Sequence, residues 1–296
     1  MVLSAQVRES PLGENEELIG ETLDGRYKIT AHLFGGRFGD FWTAKRLSDG
    51  GEVAIKYLKP DMFDDDTALA RFERETKLLT DWRHPNLLRV LDIGRTPQGA
   101  PWLVTRLVRG RPLYHEIANQ EASVRMVCHM AAQIARVLAG AHARGIIHRG
   151  LSPDSIMLVQ ERGDPYRVKV LDFGLAKMSM GETDGDAALT KVGQRLGQPE
   201  YMAPEYIEEF KLNAKTDIYA LGILFFEMLV GQAPFVGNSR RILLKHMEEE
   251  PIPVSSISMH EIPEWLDELI ACMLEKEPDK RPESAMAVAK TIMANR

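Results

Sequence analysis

The chain has 296 residues, 44% of them hydrophobic and 27% charged, enough apolar material for a sizeable core in one large domain or two lobes. A formal net charge of -6 argues against a surface that condenses on nucleic acid or anionic lipid, and leaves small molecules or proteins as partners. The two cysteines, Cys128 and Cys272, lie far apart and have no metal-ligand spacing, so they suggest neither a disulfide framework nor a metal site.

Residues 1–20 are polar, acidic and aperiodic, as in a mobile leader, and carry no basic flank followed by an apolar core of the kind a signal peptide needs. From there to Val108 the chain is strand-rich: YKITAHLF, GDFWTAKRL and EVAIKYL are separated by Gly-rich turns such as SDGGE, as in antiparallel hairpins. One helix interrupts them at TALARFERETKLLTDW, where Leu69, Phe72, Leu78 and Leu79 recur at helical spacing. The acidic run from Asp61 to Asp66 that precedes it reads as a solvated loop rather than a metal site.

After Gly110 helices dominate. Between Val124 and His142 one stripe holds Val127, Ala131, Ile134, Leu138 and Ala141, and similar patterns return at PEWLDELIACMLEK and SAMAVAKTIM. The apolar run Ile218–Gly231 is too short to span a bilayer and reads as a helix buried in the protein, so a cytoplasmic protein is expected. The fold class this predicts is α+β. A small antiparallel sheet lobe with one helix (residues 21–108) precedes a larger, mainly helical lobe (residues 109–296), and the crevice between lobes is the default ligand site.

Three stretches carry chemistry. FGGRFGDFW lies between two predicted strands, and its glycines would let backbone N–H groups approach a phosphate. VAIK puts Lys56 on an apolar strand, where an ammonium is costly to bury unless it meets an anion such as a phosphate or Glu75 on the next helix. VLDFGLAK puts Asp172 at a strand end before a Gly turn, suited to holding a divalent metal.

Glycine loop, VAIK, helix Glu, an HR-containing loop, DFG and APE, in that order, resemble the protein kinase signature set from about Leu18 to the C-terminus. RFERE, HPNLLRVLDIG, EYMAPE, TDIYALGILFFEMLVGQAPF and DKRP are similar to the eukaryote-like Ser/Thr kinases of bacteria. The resemblance implies a Lys56–Glu75 ion pair and a nucleotide pocket formed by Gly36, Gly39, Phe41, Ala54, Thr105, the hinge Arg106 to Val108, and Met157. It further implies that Asp172 holds Mg2+, that Asp217 anchors the central helix, and that Glu205 pairs with Arg281. Arg149 would receive a phosphate from the activation segment, Leu175 to Met202, with Thr190 as the acceptor.

One loop departs from this pattern. Active members carry HRDLKPEN, whose Asp accepts the substrate proton, whose Lys steadies the γ-phosphate and whose Asn holds a second metal. Here HRGLSPDSIML has Gly150, Ser152 and Ser155 at those places, and the substrate-side loop GQPEYMAPE has Gln198 for the usual Thr. Asp154, at the Glu position, reads as a loop-capping carboxylate. Lys56, Glu75, Asp172, Gly36, Gly39 and Ala54 speak for nucleotide binding, while Phe34 in place of the first loop glycine, Phe41 and Ser155 speak against it. The cofactor is therefore left open between ATP with Mg2+ and none.

The expectation that follows is a pseudokinase with no catalytic residues. It would be a scaffolding or allosteric module with protein partners, an active Ser/Thr kinase among the candidates, and with no nucleic acid and no membrane segment. The alternative is a slow or unconventional Ser/Thr kinase in which Asp172, a substrate group or water serves as base. The polar segment Gly181–Ala188 is where regulation would enter.

Overall fold

The computed structural model describes residues 18–35, 39–58, 73, 76–97, 99–119, 122–161, 163–173, 198–209 and 211–295. The chain divides into two compact units, one reaching Arg83 and including Leu88–Val108, the other comprising His84–Leu87 and everything from Arg109 onward.

The first unit is built on an antiparallel sheet of β1 (Thr22–Leu23), β2 (Tyr27–Gly35), β3 (Gly39–Arg46), β4 (Glu52–Leu58), β5 (Val90–Arg95) and β6 (Pro101–Arg106), in the order β1-β2-β3-β4-β6-β5. The SDGGE turn closes the β3–β4 hairpin. Gly50 takes φ 71 there, and Asp49 binds both the Arg46 guanidinium and the Gly51 N–H.

Because side chains alternate along a strand, the register sorts this sheet into two faces. Trp42 lies opposite Ile55 and Ile55 opposite Val104; with Tyr27, Ile29, Ala44, Val53 and Trp102 they form one buried core. Phe41, Ala54, Lys56, Leu103 and Thr105 point the other way. Of the predicted helix in this unit, residues 76–81 are described and form α1; Leu79 is buried, but Leu78 is 50% exposed and leaves the expected apolar stripe.

The second unit holds a three-stranded sheet, β7 (Gly110–Pro112), β8 (Ile156–Glu161) and β9 (Asp164–Val170), and most of the helices. These are α2 (Leu113–Asn119), α3 (Val124–His142), α4 (Pro204–Glu209), α5 (Ala214–Val230), α6 (Ser239–Glu248), α7 (Glu264–Met273) and α8 (Ala285–Ala294). The α3 stripe, Val127, Ala131, Ile134, Leu138 and Ala141, is fully buried, and Ser123 caps the helix by accepting from the Met126 N–H.

Helix α5 is apolar on all sides because it runs through the core, each buried Leu, Ile or Phe being worth about 1.5–3 kcal/mol. Asn213 caps its start and Gly231, at φ 88, ends it. Among the described residues no helix is long and apolar enough to cross a membrane.

The bidentate pair Glu205–Arg281 forms as expected, with both contacts at 2.8 Å and both side chains buried. Arg281 also donates to the carbonyls of Lys215, Glu275 and Lys276, so its remaining N–H groups are satisfied. This pair ties α4 to the segment before α8.

Candidate active site

In the first unit, the face opposite the aromatic core carries Phe41, Ala54, Lys56 and Thr105 of the predicted nucleotide residues. Ala54 pairs with Thr105 across β4 and β6, and both are buried. Lys56 is 2% exposed, held on a strand whose neighbours are apolar. The register sets Phe41 between Phe34 on β2 and Lys56 on β4. The two phenyl rings stack with centroids 4.5 Å apart, and the Lys56 Nζ lies 4.7 Å from the Phe41 centroid, a cation–π distance.

Gly39 is required where it stands, since a Cβ there would meet the Tyr57 carbonyl oxygen at 1.9 Å. Arg106 is exposed and Val108 half-buried beyond the end of β6, while Met157 is half-buried on β8 of the second unit. Gly36, Glu75, Thr190, the acidic run 61–66, the segment 181–188 and most of the activation segment lie outside the described residues.

In the second unit, the loop after α3 is organised by Asp217 near the start of α5. Its carboxylate accepts the backbone N–H of His148 at 2.8 Å, that of Arg149 at 2.9 Å and the Nε2–H of His142 at 2.7 Å. Burial opposes its ionisation, but the His142 bond and the other donors hold it below the ordinary carboxylate range.

His148 is fully buried. Its Nε2 donates to the Leu171 carbonyl at 2.8 Å, and its Nδ1 faces the Gly150 N–H at 3.4 Å, which defines the neutral tautomer; burial lowers its pKa, against the pull of Asp217. Its ring also packs on Phe173 at 4.5 Å. Leu171 in turn donates its N–H to the Ser155 carbonyl at 2.8 Å. Leu171, the residue before Asp172, is thereby bonded through both its carbonyl and its N–H to the loop that contains His148, while Phe173, the residue after it, packs on the His148 ring. Arg149 and Asp172 adopt φ 68 and 60, a left-handed conformation that costs an ordinary residue about 1–3 kcal/mol and concentrates at functional sites.

Ser152 and Ser155, where resembling kinases carry Lys and Asn, form a closed turn. Ser155 donates its hydroxyl to the Ser152 carbonyl at 2.8 Å and accepts the Ser152 N–H at 3.1 Å, and both residues are buried. They rebuild the loop's internal hydrogen bonding rather than present charge. Asp154 between them is exposed and accepts from the Gln198 side-chain nitrogen at 2.6 Å.

The substrate-side turn, Pro199–Tyr201, is anchored from below. Tyr201 donates to Glu227 on α5 at 2.5 Å, and burial, together with Glu200 and Asp154, raises the Glu227 pKa despite that bond. His246 on α6, buried against Phe235, shares a 2.8 Å hydrogen bond with Tyr219. Burial, with Lys276 nearby, pushes its imidazole down to about 3. The roles of His142, Tyr201, Glu227 and His246 were not visible in the sequence, because each works through a partner more than 25 residues away.

Residues 27–293 match the family model described as Protein kinase domain, and the chain belongs to that family. It is 35% identical to the serine/threonine-protein kinase pkn3 of Myxococcus xanthus over 95% of this chain and 52% of that protein. It is 31% identical to the serine/threonine-protein kinase PknA of Mycobacterium tuberculosis over 94% of this chain and 63% of that protein. The chain thus spans about half to two thirds of the length of these two relatives. The crystal structure of the Mycobacterium tuberculosis PknI kinase domain superposes with a TM-score of 0.72 at 25% identity, covering 94% of this chain and 98% of that one.

These likenesses overturn the expectation of a scaffolding pseudokinase, since the relatives are named as Ser/Thr protein kinases and so favour the enzymatic alternative. The physical reason the sequence misled is that phosphoryl transfer relies on positioning and electrostatics more than on protein covalent chemistry. The loop in which three of the four substitutions fall is still held in place by the Asp217 and His148 contacts.

Proposed function

We propose that this chain is a Ser/Thr protein kinase that transfers the γ-phosphoryl group of ATP to hydroxyls of protein substrates. The observation that carries this reading is the anchoring of the backbone beside Asp172: His148 and Ser155 both bind Leu171, His148 packs on Phe173, and Asp217 holds His148. A left-handed backbone at Asp172 is worth its strain when the carboxylate must meet a ligand in one geometry.

In this reading Ala54, Phe41, Thr105, Arg106, Val108 and Met157 serve the adenine, and the backbone of the loop with Gly36 and Gly39 serves the phosphates. Lys56 meets the phosphates, with Glu75 as its partner. Mg2+ keeps several waters and needs only one or two carboxylates beside the nucleotide's phosphates. Asp172 suits that role; Ser155, its hydroxyl engaged by Ser152, does not offer a second ligand. The metal, when bound, neutralises charge on the phosphates.

Arg149 and Thr190 form a proposed phosphate-dependent switch. A positioned base is worth about 10² to 10⁴ in rate, so an enzyme with Gly150 in its place is slow. The test is mass spectrometry of a basic protein acceptor after incubation with the chain, ATP and Mg2+. A phosphoryl increment on Ser or Thr is expected, and an unmodified acceptor at all times would contradict the reading.

A further inference from the structure

We propose that the outward face of α6 is a self-association surface on which a second copy of this chain docks antiparallel, the two helices related by a twofold axis at Leu244. The helix buries Ile242, Leu243 and His246 on its inner side. Spacing of four residues sets Arg240, Leu244 and Glu248 in a stripe on the other side, and all three are exposed. Leu244, 40% exposed, thus stands between a cation one turn before it and a carboxylate one turn after it.

These charges do not serve the helix that carries them. Arg240 and Arg241 lie in its first turn and Glu248 in its last, against the helix dipole, which favours acids at the start and bases at the end. Arg240 and Glu248 do not serve each other either, since eight residues separate them by about 12 Å along the axis. Neither makes an ion pair among the described residues, whereas Lys245 on the adjoining face reaches Glu249 at 3.3 Å.

A second copy turned half a revolution about Leu244 meets both needs. Residues equidistant from the axis then face each other: Leu244 packs on its own counterpart, Arg240 meets Glu248 of the second copy, and Glu248 meets its Arg240. Val236 and Ile252, 55% and 58% exposed, stand eight residues to either side of Leu244 and supply apolar surface at the two ends. A twofold interface demands this reciprocity, in which residue i contacts j and j contacts i, whereas an unrelated partner has no use for a pattern symmetric about one residue. The rim charges fix the register and oppose the parallel arrangement. One helix face is small for a permanent dimer, so association is weak and reversible, with a Kd of about 10 μM to 1 mM.

The experiment is sedimentation of the full chain across that concentration range, beside Leu244→Asp, Arg240→Glu, Glu248→Arg and an equal mixture of the last two. The wild type should dimerise, and several-fold less at about 500 mM salt than at about 50 mM. Leu244→Asp should abolish the dimer. Each charge reversal sets like charges face to face and should weaken it about tenfold or more, with unchanged melting temperatures because the positions are exposed. In the mixture one chain offers two acids and the other two bases, so both contacts return and the pair should associate as the wild type does. A wild type that stays monomeric to about 1 mM overturns the proposal and assigns the face to a different protein. A dimer indifferent to the charge reversals, or a mixture that does not associate, overturns it as well. None of these readouts involves phosphoryl transfer, so the kinase reading stands or falls separately.

Discussion

Asp217 accepts the backbone N–H of His148 at 2.8 Å, so one buried carboxylate fixes the path of the loop that faces Asp172. Its folded pKa lies below the unfolded value, so it contributes stability that is present above about pH 4 and lost as pH falls through the folded value. Asp217→Asn should cost about 2–4 kcal/mol at pH 7 in urea denaturation and should remove part of the acid sensitivity below pH 4. An unchanged urea midpoint would mean that Asp217 does not hold this loop.

Three histidines predict a second acid limb. Burial lowers the pKa of His246 to about 3 and lowers those of His148 and His84, the last also beside Arg136, Arg144 and Lys169. Each unfolded imidazole takes up a proton near pH 6.5, which the folded one resists. Stability is therefore fully present above that pH and falls as pH drops from 6.5 toward each folded value, by about 1.4 kcal/mol per unit for each of the buried His148 and His246 and by less for the half-exposed His84. Melting temperature measured from pH 7.5 to 4.5 should decline steadily, and His246→Asn should flatten the slope; a pH-independent melting temperature across that window would contradict this.

Arg281 makes a bidentate contact with Glu205, three bonds to carbonyls and a cation–π contact with Tyr219 at 4.8 Å. A lysine cannot reproduce that fork. Arg281→Lys should destabilise the chain by about 2–4 kcal/mol by urea titration, close to the cost of breaking a buried pair. A loss under about 0.5 kcal/mol, the range of surface changes, would show the pair to be dispensable.

Restoring the missing carboxylate should accelerate the chemistry. Gly150→Asp is expected to raise kcat by about 10- to 100-fold, part of the 10² to 10⁴ that a positioned base supplies. The KM for ATP should stay level, because Gly150 does not belong to the proposed nucleotide pocket. Steady-state kinetics with a peptide acceptor decide it, and a kcat that stays level or drops would mean that the loop no longer places residue 150 near the hydroxyl.

The fold was legible in the sequence wherever one local signal sufficed. The α3 stripe needed only helical period, the β3–β4 hairpin only its glycine turn, and Glu205–Arg281 came with the family pattern. Leu78 escaped because a two-leucine run does not say which leucine turns inward. At the site, the sequence shows Gly150, Ser152, Ser155 and Gln198 but not what their side chains do. The Ser152–Ser155 turn and the Gln198–Asp154 contact depend on side-chain direction, which spacing does not encode. The step from missing groups to a scaffold runs against the names of the relatives, and residue identities in the loop do not reveal that its geometry is held by Asp217 and Leu171, distant in the chain.

The central claim is that this chain transfers phosphate. The most direct measurement incubates the pure protein with γ-labelled ATP and Mg2+, beside a Lys56→Ala variant whose melting temperature matches the wild type. Label on Ser or Thr, in the chain itself or in a basic protein acceptor, that disappears with Lys56→Ala is the predicted result. No label in either protein, at enzyme concentrations and times that suit a slow kinase, would contradict it.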